Sequence, residues 1–316
     1  MRRSSSPAPK RDLHTEITQR LIQAIEAHPG EPKMPWRKAG RPLWMPENAL
    51  SHKAYNGINV VNLWVAAEMR GFSTPVFATY KQWQELGCQV RKGAKSELVI
   101  FYKEFETDPN PEQEGDDGKR RVARASYVFN AEEVEGYEPP PAAESLGPIA
   151  RLASADQFMR HTQIPLVHAG DRAFYRPSTD MITMPEEGLF TGTDTMNRDE
   201  AYYAVLLHEA VHATGHKSRC DRDFTGRFKT EAYAAEELVA EIGSAFLCAE
   251  LSITQDTRAD HAQYLAHWLQ LLKDDPKAIF TAAAKASEAV GWLKRQQPAQ
   301  SETNEPKKLP VGCGVS

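Results

Sequence analysis

The chain has 316 residues, 41% of them hydrophobic, and a formal net charge of −5 at pH 7. This length allows two domains with separate cores, and no apolar run reaches the roughly 20 residues of a membrane-spanning helix. The basic start lacks the apolar stretch of a secretory signal, and the four cysteines lie far apart. These features argue against export and a disulfide framework, so we predict a cytoplasmic protein with no membrane partner.

The net charge conceals a difference between the two halves of the chain. Residues 1–105 hold 16 lysines and arginines against nine aspartates and glutamates, a net charge of +7 that leaves −12 for the remainder. A basic front half is typical of a surface that faces a polyanion. We therefore predict separate tasks for the front and the rear of the chain.

Apolar periodicity and turn residues predict an α+β front domain over residues 12–137, after a disordered start at 1–11. Helices are predicted from 13 to 25, from the segment Tyr55-Asn56-Gly57-Ile58-Asn59 to Gly71, and from Thr79 to Gly87. Two strands, 97–102 and 125–130, flank a stretch rich in acids, proline and glycine at 108–119. We interpret this stretch as the long loop of a hairpin.

Three consecutive prolines within residues 138–148 predict an extended linker, behind which residues 149–296 form a second domain. We expect this domain to be mostly helical with a small sheet, and the tail at 297–316 to be disordered. Strands are predicted at 165–168 and 173–183, and helices at 154–161, from Asn197 or Asp199 to Gly215, and at 230–251, 258–273 and 276–295. The strand at 173–183 is a candidate edge strand for pairing with a peptide substrate.

The motif His208-Glu209-Ala210-Val211-His212 lies inside one of these predicted helices. Residues four apart share one face of a helix, so both imidazoles can reach one ion at about 2.0 to 2.1 Å. Glu209 is offset around the helix and is free to act as a general base. The motif therefore predicts a zinc peptidase, in which Glu209 takes a proton from a zinc-activated water and delivers it to the leaving amine.

A catalytic zinc site usually has three protein ligands, so one more is needed. The position of a third histidine six residues after His212, as in metzincins, holds Ser218. His216 is close, but Gly215 is expected to redirect the backbone before it. Better candidates are the carboxylates of a helix otherwise rich in small residues, because buried carboxylates need a metal or an ion pair. These are Glu236, Glu237 and Glu241.

The stretch from Ala234 to Glu241 resembles the second helix of gluzincin peptidases. In that group a glutamate ligand is followed four residues later by an acid that orients one of the histidines. The resemblance implies Glu237 as the third ligand and Glu241 as the orienting acid, which would fix a histidine tautomer. The spacing from the motif is longer than in thermolysin-like enzymes, so the choice of ligand among Glu236, Glu237 and Glu241 stays open, with Glu236 as the main alternative. Tyr233 and His216 are candidate donors to the oxyanion.

The front half combines tryptophans with positive charges. Four of the six tryptophans, at 36, 44, 64 and 83, interleave with lysines and arginines. Cations that follow a phosphate backbone and aromatic faces that stack on bases are typical of single-strand binders. Trp64 and Trp83 lie on predicted helices, which favours core positions, whereas Trp36 and Trp44 lie in a basic loop and are candidate stacking faces.

Several segments together resemble the N-terminal domain of the ArdC antirestriction family, which is related to the front of TraC-type plasmid primases. They are Pro35-Trp36, Tyr55-Asn56-Gly57-Ile58-Asn59, Thr79-Tyr80-Lys81-Gln82-Trp83, Val90-Arg91-Lys92-Gly93 and Val128-Phe129-Asn130. In that family a zincin-like peptidase domain follows, and the resemblance covers about residues 12–295. It implies single-stranded DNA binding, a plasmid or mobile-element setting, and protection of incoming DNA from restriction during conjugation. Candidate DNA contacts are Trp36, Arg37, Lys38, Trp44, Tyr55, Asn56, Lys81, Arg91, Lys92 and Lys95.

Three hypotheses follow from the sequence. The first is a single-stranded DNA-binding antirestriction protein that carries a zinc metallopeptidase domain. The second is a DNA-activated protease whose substrates are DNA-bound proteins, including components of host restriction. The third is a DNA-binding protein whose metal site is only structural, and the intact Glu209 argues against it, because a structural site needs no base.

Overall fold

The computed structural model describes residues 12–27, 34–36, 43–106, 119–139, 148–193, 196–228, 231–254 and 261–298. Its front part, an α+β domain as predicted, comprises α1 (Leu13–Glu26), β1 (Glu47–Asn48), α2 (Ile58–Arg70), β2 (Val76–Thr79), α3 (Tyr80–Glu85), β3 (Gln89–Val90), β4 (Glu97–Glu106), β5 (Lys119–Asn130) and β6 (Val134–Glu135). The rear part comprises α4 (Pro148–Thr162), β7 (Leu166–His168), β8 (Phe174–Arg176), β9 (Met181–Met184), α5 (Arg198–Thr214), α6 (Thr225–Phe228), α7 (Ala232–Leu251), α8 (His261–Asp274) and α9 (Ala278–Arg295).

The front domain is built on a four-stranded sheet of order β1-β2-β5-β4. Strands β4 and β5 are antiparallel neighbours from the pair Glu97 and Val128 to the pair Glu106 and Lys119. This confirms the predicted hairpin, but both strands are longer than predicted, because backbone pairing continues once the register is set. Strands β1, β2, β3 and β6 were not predicted, since two to four residues are too few to show alternation. The predicted disordered start, most of the linker and the tail beyond Pro298 lie outside the described residues. Gln297, predicted as the first residue of that tail, donates to the carbonyls of Phe158 and Leu293 at 3.2 and 3.1 Å.

Two asparagines of α2 hold this helix against the free edge of β4. The side chain of Asn59 donates to the carbonyl of Ile100 at 2.8 Å and accepts from the N–H of the same residue at 2.7 Å. Asn62 donates to the carbonyl of Leu98 at 2.7 Å. The two side chains thus pair with backbone groups of β4 that a neighbouring strand would otherwise bind. Buried backbone N–H and carbonyl groups require such partners. Asn59, the last residue of the segment Tyr55-Asn56-Gly57-Ile58-Asn59, therefore has a structural role at this sheet edge.

The rear domain contains a three-stranded sheet of order β7-β9-β8, in which β8 is an edge strand. The single strand predicted at 173–183 is in fact the hairpin of β8 and β9, so this prediction is corrected. Asp180 between them has φ of 49°, and the N–H of Thr179 donates to the carbonyl of Arg176 at 3.3 Å. Asp180 in the left-handed conformation and Pro177, which has no N–H, both interrupt an extended strand. Together they explain the turn.

Helix α5 carries the motif and lies against α7. It starts at Asn197, whose side chain accepts from the N–H of Glu200 at 2.9 Å while Glu200 bonds back, and it ends at Gly215. The small residues of α7 allow a close approach to α5. A Cβ atom at Gly243 would lie 2.9 Å from both γ-carbons of Val211. Glycine at this position therefore sets the distance between the two helices.

The two domains share one apolar core. A single cluster of buried side chains extends from α1 and α2 of the front domain to α7, α8 and α9 of the rear domain. Polar contacts also cross the boundary: Thr18 donates to the carbonyl of Pro276 at 2.6 Å, and Ser287 accepts from the N–H of Gly57 at 3.0 Å. The front domain is thus packed directly on the rear one. Among the described residues, no helix is both long and apolar enough to cross a membrane.

Candidate metal centre

Three side chains converge between α5 and α7. The Nε2 atoms of His208 and His212 lie 3.1 Å apart, and the Glu237 carboxylate lies 3.5 Å from each of them. Ligands bound at about 2.0 to 2.2 Å around a tetrahedral ion are separated by about 3.3 to 3.6 Å. The triangle therefore fits a divalent metal ion such as zinc, and it is the one group of three possible metal ligands found among the described residues.

Glu236, the alternative third ligand, approaches the other face of the site. Its Oε1 atom lies 3.1 Å from Nδ1 of His212, so it contacts the nitrogen that points away from Glu237. A carboxylate on Nδ1 holds the ring in the tautomer that leaves Nε2 without a proton for an ion. The geometry brings Glu237 into the triangle and gives Glu236 an orienting position.

Arg222 fixes Glu236 in turn, and the sequence did not reveal it. Its guanidinium donates from Nε to Oε2 of Glu236 at 2.7 Å and from Nη2 to Oε1 at 2.6 Å. It also donates to the hydroxyl of Thr214 at 3.0 Å and to the carbonyl of Val211 at 2.9 Å, both on the motif helix. Although this side chain is almost completely buried, it stands in a polar loop, so no sequence signal marks it as buried.

The hydrogen bonds of the site determine its charges. Burial disfavours a charged His212, but bonds to Glu236 and Glu237 outweigh it and raise the pKa of His212 to about 10. Burial also opposes ionisation of Glu236, yet Arg222 and His212 lower the pKa of this carboxyl to about 2. The two histidines hold the pKa of Glu237 well below its usual range against the effect of burial. The two carboxylates are therefore ionised, and an entering cation displaces the proton of His212.

A cleft of about 570 Å³ opens onto this triangle. Glu209 is largely buried and lines the cleft together with the two histidines, within reach of a bound substrate. The edge strand β8 forms part of the wall through Phe174 and Tyr175. The cleft thus brings together a carboxylate able to act as a base, three side chains able to hold a metal ion and the edge of a strand.

The two candidate oxyanion donors both line the cleft. Tyr233 is 61% exposed, and its hydroxyl lies 3.1 Å from that of Tyr264. Partial burial, the neighbouring Tyr264 hydroxyl and the charge of Glu237 raise the pKa of Tyr233, so it stays protonated as a donor. His216 lies outside the triangle, and its Nδ1 atom is 2.7 Å from the hydroxyl of Ser218.

Glu241, the orienting acid that the gluzincin resemblance implied, is completely buried one turn beyond Glu237 on α7. Its Oε1 atom accepts a hydrogen bond of 3.4 Å from the indole of Trp36. This contact crosses from the front domain to the helix that carries Glu237. The structure therefore gives Glu241 a partner that the sequence did not indicate.

Two of the residues proposed to contact DNA are in the core. Trp36 is only 1% exposed, and Tyr55 is buried with its hydroxyl 3.4 Å from the carbonyl of Phe77. Neither ring has a face open to a base, so the prediction for these two is corrected. Both rings belong to the packed apolar core. Trp44 is half-buried. Arg37 and Lys38 lie outside the described residues, whereas Asn56, Lys81, Arg91, Lys92 and Lys95 are exposed.

An exposed tyrosine and a half-buried phenylalanine, neither of them among the predicted DNA contacts, lie beside these cations. A surface cavity of about 590 Å³ is lined by Tyr80, Phe129, Arg91 and Lys92. Tyr80 is 44% exposed, and its ring meets that of Phe129 edge to face, with centroids 6.4 Å apart. Tyr80 directly precedes Lys81 at the start of α3. This adjacent aromatic and basic residue was the sequence feature that could have indicated a nucleic-acid contact here. We refer to these four lining residues as the front groove.

Comparison with known proteins identifies both domains. A family described as the N-terminal domain of anti-restriction factor ArdC matches residues 11–129, and one described as zincin-like metallopeptidase matches residues 153–285. The antirestriction ArdC protein from the R388 plasmid is 36% identical over 90% of this chain and 98% of its own. The TM-score is 0.72 for its metal-free structure and 0.70 for its Mn(II)-bound structure. The chain belongs to the ArdC antirestriction family.

Other relatives contain a region similar to this ArdC chain within proteins of different length. Protein y4eC of Sinorhizobium fredii (strain NBRC 101917 / NGR234) is 42% identical over 311 residues, 95% of this chain and 97% of y4eC. Two DNA primase TraC proteins of Escherichia coli are 36% and 34% identical over 90% and 94% of this chain. The match spans only 20% and 28% of their length. The ArdC unit therefore occurs as a nearly complete chain and as part of longer proteins.

Proposed function

We propose that this member of the ArdC family is an antirestriction protein of a conjugative plasmid or mobile element, located in the cytoplasm. In this proposal it binds single-stranded DNA through its front domain and carries a zinc peptidase centre behind it. The observation that carries the enzymatic part is the triangle of His208, His212 and Glu237 beside Glu209 in an open cleft. A purely structural metal site would need neither the cleft nor the base.

The residues of the cleft have distinct tasks in peptide hydrolysis. His208, His212 and Glu237 would hold the zinc ion, which when bound supplies an acidified water and polarises a carbonyl. Glu209 takes the proton of the attacking water and passes it to the leaving amine. Glu236 and Arg222 keep the ring of His212 directed at the centre. The edge of β8 offers backbone groups to the substrate, and Tyr233 or His216 is the donor for the oxyanion.

A proteolysis assay tests this part of the proposal. The zinc-loaded protein is incubated with unfolded casein, with and without a single-stranded oligonucleotide, and Glu209→Ala is the matched control. We expect cleavage by the wild type only, and unchanged zinc content in Glu209→Ala because this residue is not a ligand. His208→Ala should lose both zinc and activity. Cleavage that requires the oligonucleotide would favour a DNA-activated protease, and absence of cleavage under both conditions would contradict a general peptidase.

The front groove is our candidate for the DNA contact. Arg91 and Lys92 supply positive charge, part of which is offset by Glu135, whose carboxylate lies 3.8 Å from Arg91. Tyr80 supplies an open ring beside Phe129, and Lys81 is exposed next to it. Base stacking on such a ring contributes about 1 to 3 kcal/mol per base without reading sequence. The net charge of +7 over residues 1–105 agrees with a polyanionic partner.

Fluorescence anisotropy with labelled oligo(dT) and a duplex of equal length tests this surface at several salt concentrations. We expect tighter binding of the single strand and a steep loss of affinity with salt. Tyr80→Ala should weaken binding about 5-fold or more, and Arg91→Ala with Lys92→Ala should also reduce the salt dependence. Arg160→Ala with Arg172→Ala removes two exposed charges from the rear domain and should change neither. Equal affinities for all variants would exclude the front groove.

Transfer of an unmodified conjugative plasmid tests the antirestriction role. Donors with and without the gene are mated with recipients that contain or lack a restriction system. We expect the gene to raise the yield only in restricting recipients, and the groove variants to lose this effect. Comparison with Glu209→Ala decides whether proteolysis contributes to the protection. An equal yield with and without the gene in restricting recipients would contradict the proposed role.

A further inference from the structure

A buried carboxylate and a distant tryptophan connect the two domains at the metal centre. Glu241 is completely buried on α7, one turn beyond Glu237. Residues four apart lie on one face of a helix, so Glu241 extends the row that faces the motif helix. A buried carboxylate requires hydrogen-bond donors, because desolvation of its charge is costly. One donor is the indole N–H of Trp36, 205 positions away in the sequence.

Aromatic packing fixes Trp36 in this position. Its ring lies 6.1 Å from that of Trp64 on α2, and Trp64 lies 5.6 Å from Phe246, which is again on α7. All three rings are buried. Trp64 is itself held by a hydrogen bond of 2.8 Å from its indole to the carbonyl of Trp44. The front domain thus contacts α7 twice, once through the hydrogen bond to Glu241 and once through the ring of Phe246.

We propose that Trp36 is a positioning residue of the metal centre, supplied by the front domain. It acts through Glu241: the indole sets the rotamer of the carboxylate, and thereby the position of the α7 turn that presents Glu237 to His208 and His212. Groups that hydrogen-bond a metal ligand directly typically change metal affinity 10- to 100-fold when removed, and Trp36 lies one residue further out, so the lower end of this range is expected. The metal centre therefore depends on a side chain outside the zincin-like domain. This inference rests on the metal centre of the proposed function.

Metal titration of the full chain tests the proposal. Trp36→Phe keeps a packed ring and removes the N–H, and Trp83→Phe is the matched control. Trp83 is equally buried in the front domain, but its indole donates to the carbonyl of Phe129 at 3.1 Å, far from α7 in the separate apolar cluster. Affinity for Mn(II) is measured by calorimetry, and the visible spectrum of the Co(II)-loaded protein reports the ligand geometry. Thermal unfolding without metal measures any general loss of stability.

We expect Trp36→Phe to raise the dissociation constant for Mn(II) about 10-fold and to change the Co(II) spectrum. Trp83→Phe should lower thermal stability and leave both metal readouts unchanged. Equal affinity in the wild type and Trp36→Phe, or equal losses in the two tryptophan variants, would overturn the inference. If the wild type binds no metal, the proposed metal centre itself is wrong.

Glu241→Leu provides an independent route to the same test. This variant keeps a side chain of similar size but removes the acceptor for Trp36, and it should also weaken metal binding. Because Trp36 acts through Glu241, the double variant should lose no more affinity than the weaker-binding single variant. Losses that add would show that Trp36 acts by another route. If Trp36→Phe does not fold, normal metal affinity of Glu241→Leu is sufficient to reject the proposal.

Discussion

Replacement of Arg222 by lysine tests the orienting role of Glu236. Arg222 makes four hydrogen bonds, two to Glu236 and two to the motif helix, at 2.6 to 3.0 Å. The single ammonium of a lysine keeps the charge but cannot reproduce the planar fork that binds both carboxylate oxygens. Glu236 then loses its fixed position, and the ring of His212 is no longer held with Nε2 directed at the ion.

Loss of such a contact typically lowers metal affinity 10- to 100-fold, or about 1.4 to 2.8 kcal/mol of binding free energy. We expect a loss of this size for Zn(II), measured by competition with a chromophoric chelator. Arg219→Lys is the matched control, because Arg219 also binds a carboxylate with two donors, to Asp180 at 2.6 and 3.0 Å. It stands in the same loop, and its side chain hydrogen-bonds Asp180 and the carbonyl of Ala213 rather than a residue of the triangle. Unchanged metal affinity in Arg222→Lys, or equal losses in both variants, would refute the reasoning.

Three further predictions concern ligand identity and packing. Glu237→Gln should abolish tight metal binding, whereas Glu236→Gln should only weaken it, and equal effects in a metal titration would contradict the assignment of the third ligand. Gly243→Ala should lower the free energy of unfolding by about 1 to 3 kcal/mol, because its Cβ would lie 2.9 Å from the side chain of Val211. Denaturant titration measures this change, and unchanged stability would show that α5 and α7 can move apart without cost. Asn59→Ala leaves the buried N–H and carbonyl of Ile100 without their side-chain partner, so thermal unfolding should show a loss of about 1 to 3 kcal/mol; no loss would argue that water replaces the side chain.

Local chemistry made the helix boundaries predictable from the sequence. Asn197 begins α5 through a side-chain bond to the third residue of the helix, and Gly215 ends it, as predicted. Thr79 likewise begins α3 with a reciprocal bond to Gln82. The positions of His208 and His212 on one face followed from the same helical geometry. These features depend on residues within one or two turns, which the sequence displays directly.

Features that depend on distant contacts could not be predicted in this way. Trp36 stands among basic residues and resembles a stacking face, yet it is buried against α2 and α7. Arg222 stands between two aspartates, although its guanidinium is bound to Glu236. The choice between Glu236 and Glu237 also depended on which face of α7 meets α5. Burial and pairing of such groups are set by tertiary packing, which periodicity does not encode.

The apolar core shared by the two domains makes them difficult to separate. Cutting the chain between the domains would expose apolar faces of α2 and α9 that now cover each other. The newly exposed apolar side chains would promote aggregation of the separated halves. The matched region in the TraC primases includes both halves, since it spans at least 90% of this chain. In these relatives, too, the two domains occur together.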